Sequence, residues 1–143
     1  MSATDLRALL ADAAQGGAYF VDLHDRAAIA DTGTALGFTV IAVDLRDCRD
    51  KPDLLERIAR ELRFPDWFGD NYDALADSLG DLSWLPATGY VLLLDHAQDL
   101  REHAPDTFRA LLEILNEVAT GWAEIDIAFW ALLPLPAAVM QTV

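Results

Sequence analysis

The sequence predicts an α/β fold, a small parallel β-sheet with surrounding helices, and two kinds of segment carry that reading. FTVIAVDL at Phe38–Leu45 and YVLLLD at Tyr90–Asp95 are near-continuous apolar runs of strand length. Such runs mark strands buried on both faces, as parallel sheets require. Between the strands lie amphipathic stretches of about a dozen residues or more, the length that a right-handed crossover between parallel strands needs. With 143 residues, 53% of them hydrophobic, the chain can bury a sizeable core, and a single domain over residues 1–143 is expected.

Each element has a local reason. Ser2 to Ala14 reads as a helix, with Ser2 as its cap, Asp5 in the capping-box position and Leu6, Leu9, Leu10 and Ala13 at helical spacing. Gln15, Gly16 and Gly17 end it, and Ala18–Leu23 is rich in β-formers. A helical stretch from Asp25 to Leu36 follows, weakened by Gly33 and stopped by Gly37. After the Phe38–Leu45 strand, Asp50 caps a helix with Pro52 in its first turn and Leu54, Leu55, Ile58 and Leu62 on its inner side. Glu56 and Arg60, four residues apart, are expected to form an exposed ion pair worth no more than a few tenths of a kcal/mol.

Asn71 is placed to cap the next helix, which meets no breaker until Gly80. Trp84, Leu85 and Pro86 begin a loop that leads to the Tyr90–Asp95 strand. Pro105 and Asp106 open a further helix; Phe108, Leu111, Leu112, Leu115 and Val118 face inward, Asp106, Glu113 and Glu117 outward, and Gly121 ends it. A last strand runs from Glu124 to Leu133, with an irregular end after Pro134 and Pro136.

Composition narrows the function classes. Ten basic against 24 acidic residues give a formal net charge of -14, which repels nucleic acid and anionic membranes and favours a basic protein partner. Cys48 is alone, so no intramolecular disulfide forms, no cysteine-histidine metal framework exists, and a reducing cytoplasm fits. MSATDLRALL has no basic leader region, and the apolar stretch from Ile125 to Met140 is broken by Asp126, Pro134 and Pro136, so neither a leader nor a membrane span is expected. No glycine-rich phosphate loop follows a strand, and no cofactor is expected. His24, His96 and His103 stand apart from any nucleophile motif and read as surface or cap residues. Trp122 and Trp130 read as core, with Trp84 a support for the loop before the Asn71 helix. A monomer is the working expectation.

The chemistry concentrates in FPDWFGDNYDALADSLGDLSW, Phe64 to Trp84. At ~100° per residue, Tyr72, Leu75, Ala76 and Leu79 share one helix face, while Asp73, Asp77 and Asp81 fall together on the other. Asp70 and Asp73 suit the positive end of the helix dipole, whereas Asp77 and Asp81 have no such local support. Like charges one turn apart repel mildly, so a ridge of this kind beside Trp67 and Phe68 points to a cationic partner. An ordinary amphipathic helix with an acidic solvent face fits the same pattern.

This string resembles the signature of the barstar family, intracellular inhibitors of barnase-type ribonucleases: an aromatic pair, Gly, an acidic residue, Asn, then Asp-Ala-Leu-x-Asp-x-Leu. The resemblance spans about Phe38 to Leu133, leaving residues 1–37 as an N-terminal extension that is expected to widen the sheet. It implies a barstar-like α/β fold, no enzymatic activity and a basic ribonuclease as partner, blocked by a loop and helix whose carboxylates stand in for RNA phosphates. By position it implies that Trp67, Phe68, Gly69, Asn71, Asp73, Ala76 and Asp77 meet the partner. Asp77 takes the place of the aspartate that reaches the phosphate-binding arginines and histidine. Trp67 replaces a tyrosine, and Ala76 stands where a tryptophan contacts the enzyme. Glu117 matches a supporting glutamate when counted back from the last strand.

Two other functions stay open on residues alone. Asp73 and Asp77, one turn apart, would serve a carboxylate-based hydrolase if one of them were desolvated. Asp66, Asp70, Asn71 and Asp73 are oxygen ligands close in sequence, although their spacing departs from a calcium-binding EF-hand loop. An acidic module for some other basic protein is the remaining alternative.

Overall fold

In the computed structural model, which describes residues 3–66 and 68–137, four parallel strands form one sheet. In chain order they are β1 (Gly17–Asp22), β2 (Thr39–Asp44), β3 (Gly89–Asp95) and β4 (Ala128–Leu135), and across the sheet they run β1-β4-β3-β2. Helices α1 (Ala3–Ala11) and α2 (Arg26–Ala35) flank β1 in sequence. Helices α3 (Lys51–Glu61) and α4 (Tyr72–Asp81) join β2 to β3, and α5 (Ala97–His103) and α6 (Pro105–Glu124) join β3 to β4. The α/β class and the parallel sheet expected from the apolar runs are both present.

Strand alternation divides the core between two faces of the sheet. Tyr90, Leu92 and Leu94 of β3 and Phe129, Ala131 and Leu133 of β4 pack with α3, α4, α5 and α6. Their neighbours Val91, Leu93, Ala128, Trp130 and Leu132 pack with Leu10 of α1 and Ile29 of α2. Both central strands, β3 and β4, are therefore buried on both sides. β2, whose apolar run also promised burial on both faces, is instead an edge strand, with Thr39, Val40 and Ile41 half-buried and Ala42 exposed.

The first 37 residues supply one whole layer and one edge strand. β1 pairs with β4 from Gly17 opposite Trp130 to Asp22 opposite Leu135. α2 sits close on the sheet because Gly33 has no side chain: a Cβ there would lie 3.0 Å from Val40 Cγ2. Arg26 of α2 then donates twice to Asp95 at the end of β3, through Nε at 2.8 Å and Nη2 at 2.7 Å. The Trp130 indole N–H donates to the Leu10 carbonyl at 2.9 Å, fixing the end of α1.

Several sequence expectations are corrected. α5 occupies a stretch to which no element was assigned; it is seven residues long, too short for periodicity to reveal, and starts after a left-handed His96 with φ 57. α6 runs through Gly121 to Glu124 and stops where Asp126 takes φ 60 and the Ile127 N–H returns to the Trp122 carbonyl. β4 consequently begins at Ala128 and continues through Pro134 to Leu135. Proline is tolerated there because β3 pairs β4 only as far as Leu132, so one side of the strand is unpaired at Pro134. Arg60 does not meet Glu56; its Nε lies 3.5 Å from Glu61, while the i,i+4 pair of this helix is Arg57 with Asp53. His96 holds the N-cap position of α5, with its ring between Asp44 and Arg46. The expected cap Ser2 lies outside the described residues.

Two outcomes follow. A chain starting at Phe38 uncovers Val91, Leu93, Trp130 and Leu132, and at about 25 cal/mol per Å² it loses several kcal/mol of apolar burial. It is expected to bind a hydrophobic dye and to unfold at lower urea than the full chain; matching urea midpoints would refute this. Cys48 is fully buried, and that burial together with the nearby Asp53 carboxylate pushes its thiol up to about 11. It should be inert to a thiol-disulfide reagent at about pH 8 until guanidinium unfolds the chain.

Candidate functional site

Between α3 and α4 the backbone makes a tight, pinned loop. Arg63 takes φ 55 and the Phe64 N–H donates to the Ala59 carbonyl at 2.8 Å, turning the chain out of α3. The Phe64 ring meets Phe68 edge-on at 4.9 Å and Trp84 at 5.8 Å. Trp84 in turn donates its indole N–H to the Leu62 carbonyl at 2.9 Å. Asp70 has φ 51, and Asn71 next to it locks the loop from both ends of its amide: Nδ2 donates to the Gly69 carbonyl at 3.1 Å and Oδ1 accepts the Ala74 N–H at 2.7 Å. A Cβ at Gly69 would come within 3.3 Å of Asn71 Nδ2, so glycine leaves room for that bond.

α4 then presents two unlike faces. Leu75 and Leu79 are fully buried, Tyr72 and Ala76 half-buried, and Asp73, Asp77 and Asp81 exposed. Asp81 accepts a hydrogen bond from Ser83 Oγ at 3.1 Å, whereas no hydrogen bond or ion pair among the described residues engages Asp73 or Asp77. Two cations of α3 have partners of their own. Lys51 places Nζ 3.9 Å from the centre of the Tyr72 ring, and Arg57 is bidentate to Asp53 while also donating to the Asp44 and Arg46 carbonyls.

Packing on α6 fixes where this ridge points. The buried Trp122 indole N–H donates to the Leu79 carbonyl at 2.9 Å, one of the carbonyls left without a partner where α4 ends. Leu82, at φ 44, closes that end with its N–H on the Ser78 carbonyl. Glu117 of α6 is exposed, and it borders the same hollow between α4 and α6 as Ala76 and Asp77. The fold thus brings Ala76, Asp77 and Glu117 together, with Asp73 a turn earlier on the same exposed face. Phe68 is half-buried against Phe64, Gly69 and Asn71 form the loop, and Trp67 lies outside the described residues.

Other chemistries find less support. Asp73 and Asp77 are both exposed to solvent, and Asp77 borders the open hollow between α4 and α6. No group of three or more His, Cys, Asp or Glu side chains among the described residues is arranged to hold a metal ion. No helix among them is long and apolar enough to cross a membrane.

A family model described as Barstar (barnase inhibitor) matches residues 38–134, more than half of the chain. The chain belongs to the barstar family. No curated protein matches it. The barstar match takes in β2, α3, α4, β3, α5, α6 and nearly all of β4, so the pinned loop and the carboxylate ridge fall within it. α1, β1 and α2 precede it. At the level of the family, the role is that of a barnase inhibitor.

Ile125 went unrecognised from sequence. It was assigned to the last strand, yet it follows α6 and is 64% exposed beside the hollow. Its signal was the buried Trp122, which carries α6 past Gly121.

The supports can be measured. Asn71→Ala should cost about 1 kcal/mol in urea unfolding through the lost cap. Trp122→Phe should cost about 1–3 kcal/mol, because it leaves the Leu79 carbonyl buried and unpaired. Unchanged stability in both variants would mean that neither bond holds α4.

Proposed function

We propose that this protein is a cytoplasmic, stoichiometric inhibitor of a barnase-type ribonuclease, and that it blocks the enzyme's active site with the loop of residues 64–71 and helix α4. The observation that carries this is a pair of exposed carboxylates, Asp73 and Asp77, with no cation of their own, on a helix fixed at both ends in a barstar-family chain.

A ribonuclease active site gathers arginine, lysine and histidine to hold a polyanion. Carboxylates held rigidly on a helix offer those cations oxygen acceptors at little ordering cost and present no bond to cleave. In this reading Asp77 meets the phosphate-binding cations and Asp73 supports it from the preceding turn. Glu117 adds a third carboxylate from α6. Phe68 provides aromatic bulk from the loop, to which Trp67 belongs by sequence, Gly69 and Asn71 hold the loop, and Ala76 lies at the contact where a larger ring would otherwise stand. The net charge of -14 draws a basic enzyme in from solution, a contribution that salt weakens.

Calorimetric titration against a panel of barnase-type ribonucleases tests this. At least one is expected to bind with stoichiometry near one and affinity well tighter than micromolar. Asp77→Ala should weaken that complex at least tenfold, about 1.4 kcal/mol, with unfolding unchanged. A panel that binds no tighter than micromolar, or a tight complex indifferent to Asp77→Ala, would overturn the proposal.

A further inference from the structure

The layer built by the first 37 residues has a recess of its own, on the sheet face opposite α4 and α6. It lies between α1 and α2 over β1 and β4, with a volume of about 380 Å³, within the ~300–1,000 Å³ usual for small-molecule sites. Of its described lining only Trp130 and Leu132 fall within the barstar match. Leu10, Ile29, Trp130 and Leu132 form its inner wall and keep no more than 5% of their surface exposed. Whatever touches them must be slender, which favours a small molecule over the surface of a folded protein.

The walls are held by the fold itself. The Tyr19 hydroxyl donates to the Gln15 carbonyl at 2.7 Å, and its ring stands 5.6 Å from that of Trp130, whose indole N–H is fixed on Leu10. On the other side, Gly33 lets the later turns of α2 sit down on Val40 and Val91, while the first turns, with Ala28 and Ile29, border the recess. Ala28 is small, so the space beside Ile29 stays open.

Charge indicates the occupant. Asp22 and Asp25 line the recess, and no Lys, Arg or His among the described residues does. Asp22 accepts the His24 N–H at 2.9 Å through one oxygen, and Asp25, at the start of α2, makes no hydrogen bond or ion pair among the described residues. The next residue, Arg26, is bidentate to Asp95 instead. A carboxylic acid would meet two like charges here, and an uncharged apolar molecule would leave both carboxylates to water. A protonated amine on an apolar body uses both features: the body is buried against Ile29 and Leu132, and the N–H donors reach the carboxylates. Residues 138–143, AVMQTV, carry no basic side chain and offer no such donor. We propose that this recess binds a small amphiphilic amine, with Asp22 and Asp25 recognising its protonated nitrogen. The site is independent of the inhibitor reading above.

Three probes with one apolar body separate the effect of the head group: n-octylamine, protonated at neutral pH as lysine is, n-octanol and octanoate, each titrated calorimetrically into the full chain. Octylamine is expected to bind with stoichiometry near one and at least fivefold tighter than octanol, with octanoate weakest. It should shift the indole N–H resonance of Trp130 and leave those of Trp84 and Trp122 in place. Changing Asp22 and Asp25 together to Asn, which keeps a capping side chain at position 22, should bring octylamine down to the level of octanol. Ala28→Leu, which fills the recess at unchanged net charge, should weaken octylamine at least tenfold without lowering the thermal midpoint. Octylamine binding that does not saturate or that survives Ala28→Leu would overturn the proposal, showing only the attraction of a cation to an acidic chain. Equal affinity for octanol would overturn it too, since the recess would then ignore the head group. So would binding that appears only after residues 138–143 are deleted, which would give the recess to that segment.

Discussion

The hydrogen bond from the Trp122 indole to the Leu79 carbonyl is the constraint on which the site's geometry depends. A helix ends with carbonyls that have no partner of their own, and in a buried setting each unsatisfied one costs about 1–3 kcal/mol. Here three tryptophans meet that demand in the same way. Trp130 donates to Leu10 near the end of α1, Trp84 to Leu62 at the end of α3, and Trp122 to Leu79 in the last turn of α4. Each ring adds apolar area to the core while its one donor fixes a helix end, so α3 and α4 enter and leave the loop of residues 62–71 at set positions. An aliphatic residue would fill the volume and leave the carbonyl bare.

Rigidity matters because of the charge it has to hold. Asp73 and Asp77 repel each other mildly, and the helix dipole assists only the one near its N-terminus. Several cations are held by the scaffold: Arg57 ties Asp53 to the turn after β2, Arg26 ties α2 to Asp95, and Lys51 lies over Tyr72 of α4. The ridge therefore keeps its charge available to a partner. An inhibitor of a cationic site needs carboxylates of this kind, exposed and without a cation of their own.

Much of this was legible in the residues. The strands β2 and β3, the Asn71 cap and the opposed faces of α4 follow from strong, short-range patterns: an unbroken apolar run, a capping side chain, and a helical period with one residue type on each side. Tertiary contacts decided what was missed. α5 is too short to show a period, and α6 passes Gly121 because the burial of Trp122 outweighs the glycine penalty. Arg60 found Glu61 when its i,i+4 neighbour was equally available, a choice worth too little energy for sequence to settle. Strand order was equally hidden, because β1, first in the chain, pairs with β4, the last.

That pairing has a consequence for how the N-terminal extension relates to the site. α1 and α2 cover the sheet face opposite the one carrying α4, so they support β3 and β4 without approaching the carboxylates. β1 is different, since Ala18 and Phe20 pack on the α4 side and Phe20 lies 6.1 Å from the Phe108 ring of α6. Its Ala18 N–H also donates to Asn116 Oδ1 at 2.9 Å, one residue before Glu117. α6 is thus gripped by the extension through Asn116 and by α4 through Trp122, on either side of the turn that carries Glu117. The added strand braces one wall of the α4–α6 hollow from behind, and residues outside the barstar match help to hold a surface that lies within it.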